Sequence, residues 1–301
     1  MQISDRPPMQ NDLLRLISAL LVLLVITGWA YWSTLADLFK EWQRNEDYSA
    51  GQLVPLVAIF LAWHERHALG KCILTPCWWG GGALLLLALA ARTYGLLFMF
   101  ESAERYALVL TIVSLVLLVA GWQVFRRLSW ILMILFFMIP FPGRVHNLVN
   151  APLQRMASTG SVFLLEAFGV RVGQQGNVVM LDGRIPMAVV EACSGLRMLT
   201  AFVIVAAFIA YVVKRSRLQK AVLFLSSVPL AVLCNILRLC ATAVLFLLAS
   251  SELAEKFFHD FAGLVMMPMA VLLLFGELWL MNILTMPEPG TQQGGTKVPE
   301  K

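Results

Sequence analysis

Charge is scarce in this chain. Asp, Glu, Lys and Arg make up 14% of its 301 residues, against about 25% in an ordinary soluble domain. That leaves too little polar surface for a large water-soluble domain between the apolar runs. The net charge of +5 is thinly spread and reads as loop bias in a membrane protein rather than as a nucleic-acid surface. Cysteine is also sparse. Five residues, four of them (Cys72, Cys77, Cys234 and Cys240) in or beside apolar runs, make no disulfide framework and suit core packing. There are four histidines, and His64 and His67 do not have the H-E-x-x-H spacing, so zinc hydrolysis has no support and no metal site is expected. No internal repeat is visible, which argues against an inverted-repeat transporter.

What is abundant is hydrocarbon. The chain is 59% hydrophobic with a mean hydropathy of +0.78. Apolar runs near the length of a bilayer crossing fall at about 13–35, 50–63, 74–100, 106–124, 128–142, 190–213, 221–250 and 261–285. The fold class expected is an all-α polytopic membrane protein with about eight transmembrane helices. The first run exceeds a signal-peptide core, and no small-x-small cleavage site follows it, so it is expected to be retained. A single membrane domain over 13–285 is flanked by tails, 1–12 and 286–301, whose Pro, Gly and Gln content and lack of periodicity predict no regular structure. With eight spans, the basic loops at Arg66 and Lys71, at Arg126-Arg127 and at Lys214–Lys220 share one side. By the positive-inside rule that side is cytoplasmic, together with both termini. Glu101, Glu104, Glu252, Glu255 and Asp260 fall on the other side.

The outer segment 143–189 has a different pattern. Ala151 to Phe168 carries Leu153, Met156, Val162 and Leu165 at helical spacing, which predicts an amphipathic helix lying in the interface. After Gly169 the pattern turns extended. Asn177–Leu181 and Ile185–Val190 flank Asp182-Gly183, a hairpin signal.

That hairpin would deliver the chain to Glu191-Ala192-Cys193-Ser194-Gly195-Leu196-Arg197, where the sixth span begins. A helix start lowers a thiol's pKa through its unpaired N–H groups and dipole. Gly195 permits close approach of another backbone or a peptide, and Arg197 lies one turn below Cys193 on the same face. Arg238 sits inside the seventh apolar run, about two-thirds of the way to the outer side, where an arginine is costly and usually faces the bundle interior. Asn235, three residues earlier, shares its face and can orient the guanidinium. His259 precedes the last span, and His146 is a rival base on the same side. Glu191 can orient His259 or Arg238, or simply complement the helix dipole. A thiolate nucleophile, a proton-transfer group and a fixed cation for an oxyanion make a complete acyl-transfer site. The residues alone therefore indicate a membrane cysteine peptidase or transferase.

The same residues carry a family resemblance. Ala192-Cys193-Ser194-Gly195, Asn235 with Arg238, and the downstream His259 resemble the A-C-S-G, N-x-x-R and His signatures of the exosortase/archaeosortase family. Tyr48-Ser49-Ala50-Gly51-Gln52-Leu53-Val54-Pro55 is similar to that family's early Y-S-H-G-x-L-V-P, with Ala50 where many members have His. The likeness runs over roughly 45–285, through Pro140, Pro152-Leu153-Gln154 and the Gly169-to-Gly183 region. It implies a multi-pass enzyme of the bacterial or archaeal cytoplasmic membrane, with its active site facing outward. Catalysis would rest on Cys193, Arg238 and His259, with Glu191, Ser194, Gly195, Arg197 and Asn235 in support and no cofactor. The implied partners, besides the lipid bilayer, are exported proteins with a C-terminal sorting signal: a short motif such as P-E-P, a transmembrane helix and a basic cluster. Cleavage through a thioester, with transfer to an acceptor nucleophile at the cell surface, is the implied reaction. An intramembrane protease releasing its product to water is one alternative. A non-enzymatic component of exopolysaccharide export, in which Arg238 and Arg197 would bind phosphate or sugar, is the other.

Overall fold

The computed structural model describes residues 10–175, 178–181, 185–188, 195–248 and 266–284. Helices occupy all eight apolar runs, and the protein is an all-α polytopic membrane protein with one small sheet. The first run bends. Helix α1 (Gln10–Ala30) gives way at Tyr31 to α2 (Trp32–Arg44), and the two axes differ by 74°. Tyr31 is 2% exposed and its hydroxyl meets Thr111 Oγ1 at 2.9 Å. The Ala30 carbonyl at the bend accepts from Arg92, whose guanidinium lies over the Tyr31 ring. Beyond the bend α2 is amphipathic, burying Thr34, Leu38 and Trp42 at i, i+4 and i+8.

A 3-10 turn (Glu46–Gln52) follows, then α3 (Leu53–His64) and the short α4 (Arg66–Leu69). The next pair, α5 (Trp78–Phe98) and α6 (Glu101–Val119), packs along its whole length. The seam is visible in the residues: α5 buries only Gly81, Ala88 and Gly95, spaced by seven. A Cβ on Gly81 would stand 2.9 Å from the Leu118 amide nitrogen, and one on Gly95 3.0 Å from that of Glu104. Helices in lipid associate through such small-residue contacts because apolar burial gives little drive there. The remainder of α5 is largely exposed Leu, Trp, Phe and Tyr, which in a bilayer faces hydrocarbon. Gly121 then turns the chain with φ +85°, its Cα directly against the Thr75 carbonyl, so only glycine fits there.

Helix α7 (Trp122–Ile134) and a further 3-10 turn (Leu135–Met138) end at Ile139-Pro140-Phe141-Pro142. Helix α8 (Gly143–Ala167) leaves at 88°. The helix expected in this segment is present, but it begins at Gly143 rather than Ala151. Its buried face also differs from the expected one. Leu153 and Leu165 are buried, whereas Met156 is 56% exposed. Ala157, Ser158 and Ser161 form the inner seam. Gly169, at φ +81°, ends the helix, and the Val170 amide returns to the Leu165 carbonyl.

Three antiparallel strands follow in the order β1 (Val172–Gln175), β2 (Val178–Leu181) and β3 (Ile185–Ala188). The expected hairpin is β2–β3, whose last pair is Leu181↔Ile185. The sheet gains β1 from the stretch after Gly169. Val179 and Leu181 join Ala157 and Leu165 of α8 in a buried cluster.

The bundle closes with α9 (Gly195–Val212), α10 (Arg217–Leu248) and α11 (Met266–Leu284). Leu239 and Ala243 of α10 complete the cluster beneath the sheet. Helix α9 is buried on nearly every side, and α10, at about 48 Å by helical rise, exceeds the hydrocarbon thickness. Among the described residues four helices (α5, α6, α9 and α10) are long and apolar enough to cross a membrane. The count rises to six if each bent pair is one span. That is fewer full-length crossings than the eight apolar runs suggest. At 12 residues α3 reaches only about 18 Å, and the apolar part of α11 is also short.

Candidate functional site

One end of the bundle gathers the basic segments. Arg127 Nε donates to Glu65 Oε2 at 2.6 Å, and Tyr211 also hydrogen-bonds that carboxylate. The ends of α3 and α9 therefore meet the start of α7, as the shared side of the basic loops requires. Burial opposes ionisation of Glu65, but the bonds from Arg127 and Tyr211 prevail and hold its carboxyl below the usual value.

The opposite end holds the described candidate residues, Gly195, Arg197, Asn235 and Arg238, and α9 starts there. Gly195 is its first residue and is buried. A Cβ at this position would lie 2.9 Å from Leu153 Cβ on α8 and 3.5 Å from Asn235 Nδ2 on α10. Glycine here admits α8, a neighbouring helix of the protein itself, and brings three helices together two residues after Cys193. Asn235 is 1% exposed, and neither atom of its amide has a hydrogen-bond partner among the described residues. It therefore does not orient the Arg238 guanidinium in the way its spacing suggests. A buried amide without partners is costly and marks a place where a group is awaited. Arg238, one turn further along α10, is 4% exposed. Its carbonyl accepts from Thr242 Oγ1 at 2.9 Å.

Arg197 is engaged. Its Nη1 donates to Glu46 Oε2 at 2.6 Å, an ion pair that ties the first turn of α9 to the 3-10 turn before α3. It also stands close enough to Arg238 for the two cations to repel. Three residues on, Thr200 Oγ1 lies 3.3 Å from the Asp47 carbonyl oxygen. The same turn reaches α8: the Tyr48 hydroxyl and His146 Nδ1 are 2.7 Å apart, and His146 Nε2 stands 3.7 Å from Asp47 Oδ2. Burial, and then the Asp47 charge, push the Tyr48 hydroxyl up to about 12. In the tautomer whose Nδ1 accepts from Tyr48, the other ring N–H sits on Nε2 and faces Asp47. That arrangement occupies His146 as a latch between α8 and the 3-10 turn.

The latch was only half legible in sequence. Tyr48 opens the Tyr48–Pro55 stretch and His146 stands out as an outer histidine, but no local pattern pairs residues 98 apart. The adjacent acids Glu46 and Asp47 were the signal available for it.

Cys193, Glu191, Ser194 and His259 lie outside the described residues. The chain that carries His259 joins Leu248 to Met266. Helices α10 and α11 run antiparallel, as Ser226 bonding Glu277 near one end and Cys234 packing with Ala270 further along require. Leu248 and Met266, the described helix ends on either side of that segment, therefore lie towards the end of the bundle where Gly195 stands. His64 and His67 are at the other end, beside Glu65. Cys72, Cys77 and Cys240 are half-buried, and Cys234 is buried in the core. Among the described residues no cluster of His, Cys, Asp and Glu could hold a metal ion.

No curated protein and no solved structure gives a significant match to the chain. The family model described as transmembrane exosortase matches residues 42–276, from the end of α2 to the middle of α11. The match takes in the 3-10 turn, α8, Gly195 and Arg238 together, and by it the chain belongs to the transmembrane exosortase family.

Proposed function

We propose that this protein is a cysteine peptidase or transpeptidase of the cytoplasmic membrane. It cleaves the C-terminal sorting signals of exported proteins on the outer side and passes them to a surface acceptor. The observation that carries the reading is the buried, open amide of Asn235, set against Gly195 with Arg238 one turn away. Two residues of chain reach at most about 7 Å, which bounds the distance from Gly195 to Cys193. A peptide carbonyl presented there would meet a nucleophile from the start of α9 and two donors from the interior of α10.

In the acylation step the Cys193 thiolate attacks the scissile carbonyl. Arg238 stabilises the tetrahedral oxyanion, and His259 protonates the leaving amine as the C–N bond breaks. An amine acceptor, or water, then resolves the thioester. The sorting-signal helix docks in the membrane beside the bundle, leaving its short motif at the outer end. Arg197 is held by Glu46, so its part is to anchor the start of α9 rather than to bind substrate. The same pair takes one of the two cations that an exopolysaccharide-binding role would use, which counts against that alternative.

The test is co-expression with a tagged candidate substrate and mass analysis of the product. A Cys193→Ala variant should abolish processing, while replacing Cys72, Cys77, Cys234 and Cys240 together should leave it largely intact. Retained processing in Cys193→Ala would refute the mechanism. The mass of the new C-terminus separates transfer from hydrolysis.

A further inference from the structure

At the end of the bundle opposite the candidate site, an apolar groove of about 640 Å³ runs between α7, α9 and α10. Its walls are Trp130, Met133, Ala210, Tyr211, Phe224 and Leu225, and its rim carries Arg217 and Lys220 at the first turn of α10. The walls are preformed. Trp130 Nε1 donates to the Ala207 carbonyl at 3.1 Å and its ring meets Phe224 edge-on at 6.0 Å. Tyr211 is held through Glu65, itself paired with Arg127.

The charges are one-sided. Neither Arg217 nor Lys220 has a carboxylate partner among the described residues. Of the acids nearest that end, Glu65 is paired with Arg127, while Glu277 accepts from Ser226 and makes no ion pair with either cation among the described residues. A hydrocarbon slot inside a spanning bundle, with two uncompensated cations at the helix terminus, has the layout of an amphiphile with an anionic head. The apolar walls exclude a free phosphate as a sufficient ligand, and the cations disfavour the spanning helix of a substrate, whose own basic cluster would meet like charge.

We propose that this groove is a binding site for an anionic phospholipid, its phosphate on Arg217 and Lys220 and one acyl chain lying along the wall that Trp130 and Phe224 form together. The inference does not depend on the peptidase reading. It rests on the groove and its rim alone.

The experiment uses the full-length protein purified in neutral detergent. Phosphatidylglycerol, phosphatidylcholine and inorganic phosphate are each titrated while bound lipid is followed by native mass spectrometry. Quenching by phosphatidylglycerol with brominated chains is followed in parallel. Each basic residue near an anionic headgroup is worth about fivefold in affinity. Arg217→Gln with Lys220→Gln should therefore weaken phosphatidylglycerol binding about 30-fold and leave phosphatidylcholine unchanged. Both side chains are on the rim, so folding should survive, as unchanged thermal unfolding without lipid will report. Brominated chains should quench the wild type more than Trp130→Phe.

Equal binding of the two lipids, or undiminished binding by the double variant, overturns the proposal. So does full competition by inorganic phosphate alone, or quenching indifferent to Trp130. A synthetic spanning peptide with a basic tail that binds the wild type and not the double variant would assign the groove to substrate instead.

Discussion

Tyr48→Phe removes one hydroxyl and keeps the ring. Tyr48 is 7% exposed, so the phenyl ring retains its packing, and the loss falls on the 2.7 Å bond to His146 Nδ1. A bond of this kind contributes about 0.5–1.5 kcal/mol. The His146 side chain keeps 21% of its surface, which lets water replace part of the loss, so the expected cost at pH 7 is about 1 kcal/mol. The pH dependence is more telling. Burial and the Asp47 charge raise the Tyr48 hydroxyl from 10.0 to about 12. Below pH 10 the folded and unfolded states both hold the proton, and the contribution is complete. Between pH 10 and 12 the unfolded tyrosine ionises while the folded one does not, so stability is lost, by about 3 kcal/mol over the two units. Phenylalanine has no such term. The variant should therefore be less stable than wild type at neutral pH and more stable above a crossover between pH 10 and 12. Thermal unfolding across that range reads the crossover. The phenolate absorbance of wild type minus Tyr48→Phe isolates the one hydroxyl from the other four tyrosines. A difference titration centred near 10, or stability curves that stay parallel, would refute the latch.

Two further outcomes follow from the same geometry. Gly195→Ala should cost about 1–3 kcal/mol in thermal unfolding, because Leu153 Cβ is fixed to its backbone 2.9 Å from the new atom; Gly160→Ala should cost less, because the atom it meets is the flexible end of Ile236. Arg238→Lys should preserve folding yet lower the processing rate about 10²–10³-fold if the guanidinium is an oxyanion donor. Near-normal processing by the lysine variant would remove Arg238 from the reaction.

The chain declares its membrane spans because hydrocarbon length is a local property, and every apolar run holds a helix. Where expectation and structure part, the cause is a contact made at a distance. The first run looks continuous from Leu13 to Leu35, yet it bends at Tyr31 because that side chain is anchored on Thr111 and Arg92 takes up the freed carbonyl. On α8 the large apolar residues misled. Met156 faces outward, and the inner seam is Ala157, Ser158 and Ser161, since close packing between helices favours small side chains over hydrophobic ones.

The candidate site shows the same division. Asn235 and Arg238 were legible as costly residues in an apolar run, and both are buried at the end of the bundle where α9 begins. Their mutual hydrogen bond was not there to be read. Spacing by three puts two side chains on one face, but Asn235 is drawn towards Gly195 by the close approach of α10 to α9. The Tyr48–Pro55 stretch, legible only as a likeness, acquires a physical purpose. Its first turn is bonded to α9 through Glu46 and Asp47 and to α8 through Tyr48. Helix α9 therefore cannot shift along its axis without breaking an ion pair, nor α8 lift away without breaking the Tyr48–His146 bond. A nucleophile at the start of α9 needs such restraint, because a misplacement of about 1 Å can cost 10²-fold in rate. Under the proposed mechanism the turn at residues 46–52 holds the site's geometry while the donors come from α10. Substitutions in that turn should lower the processing rate and thermal stability together, whereas Arg238→Lys should lower the rate alone.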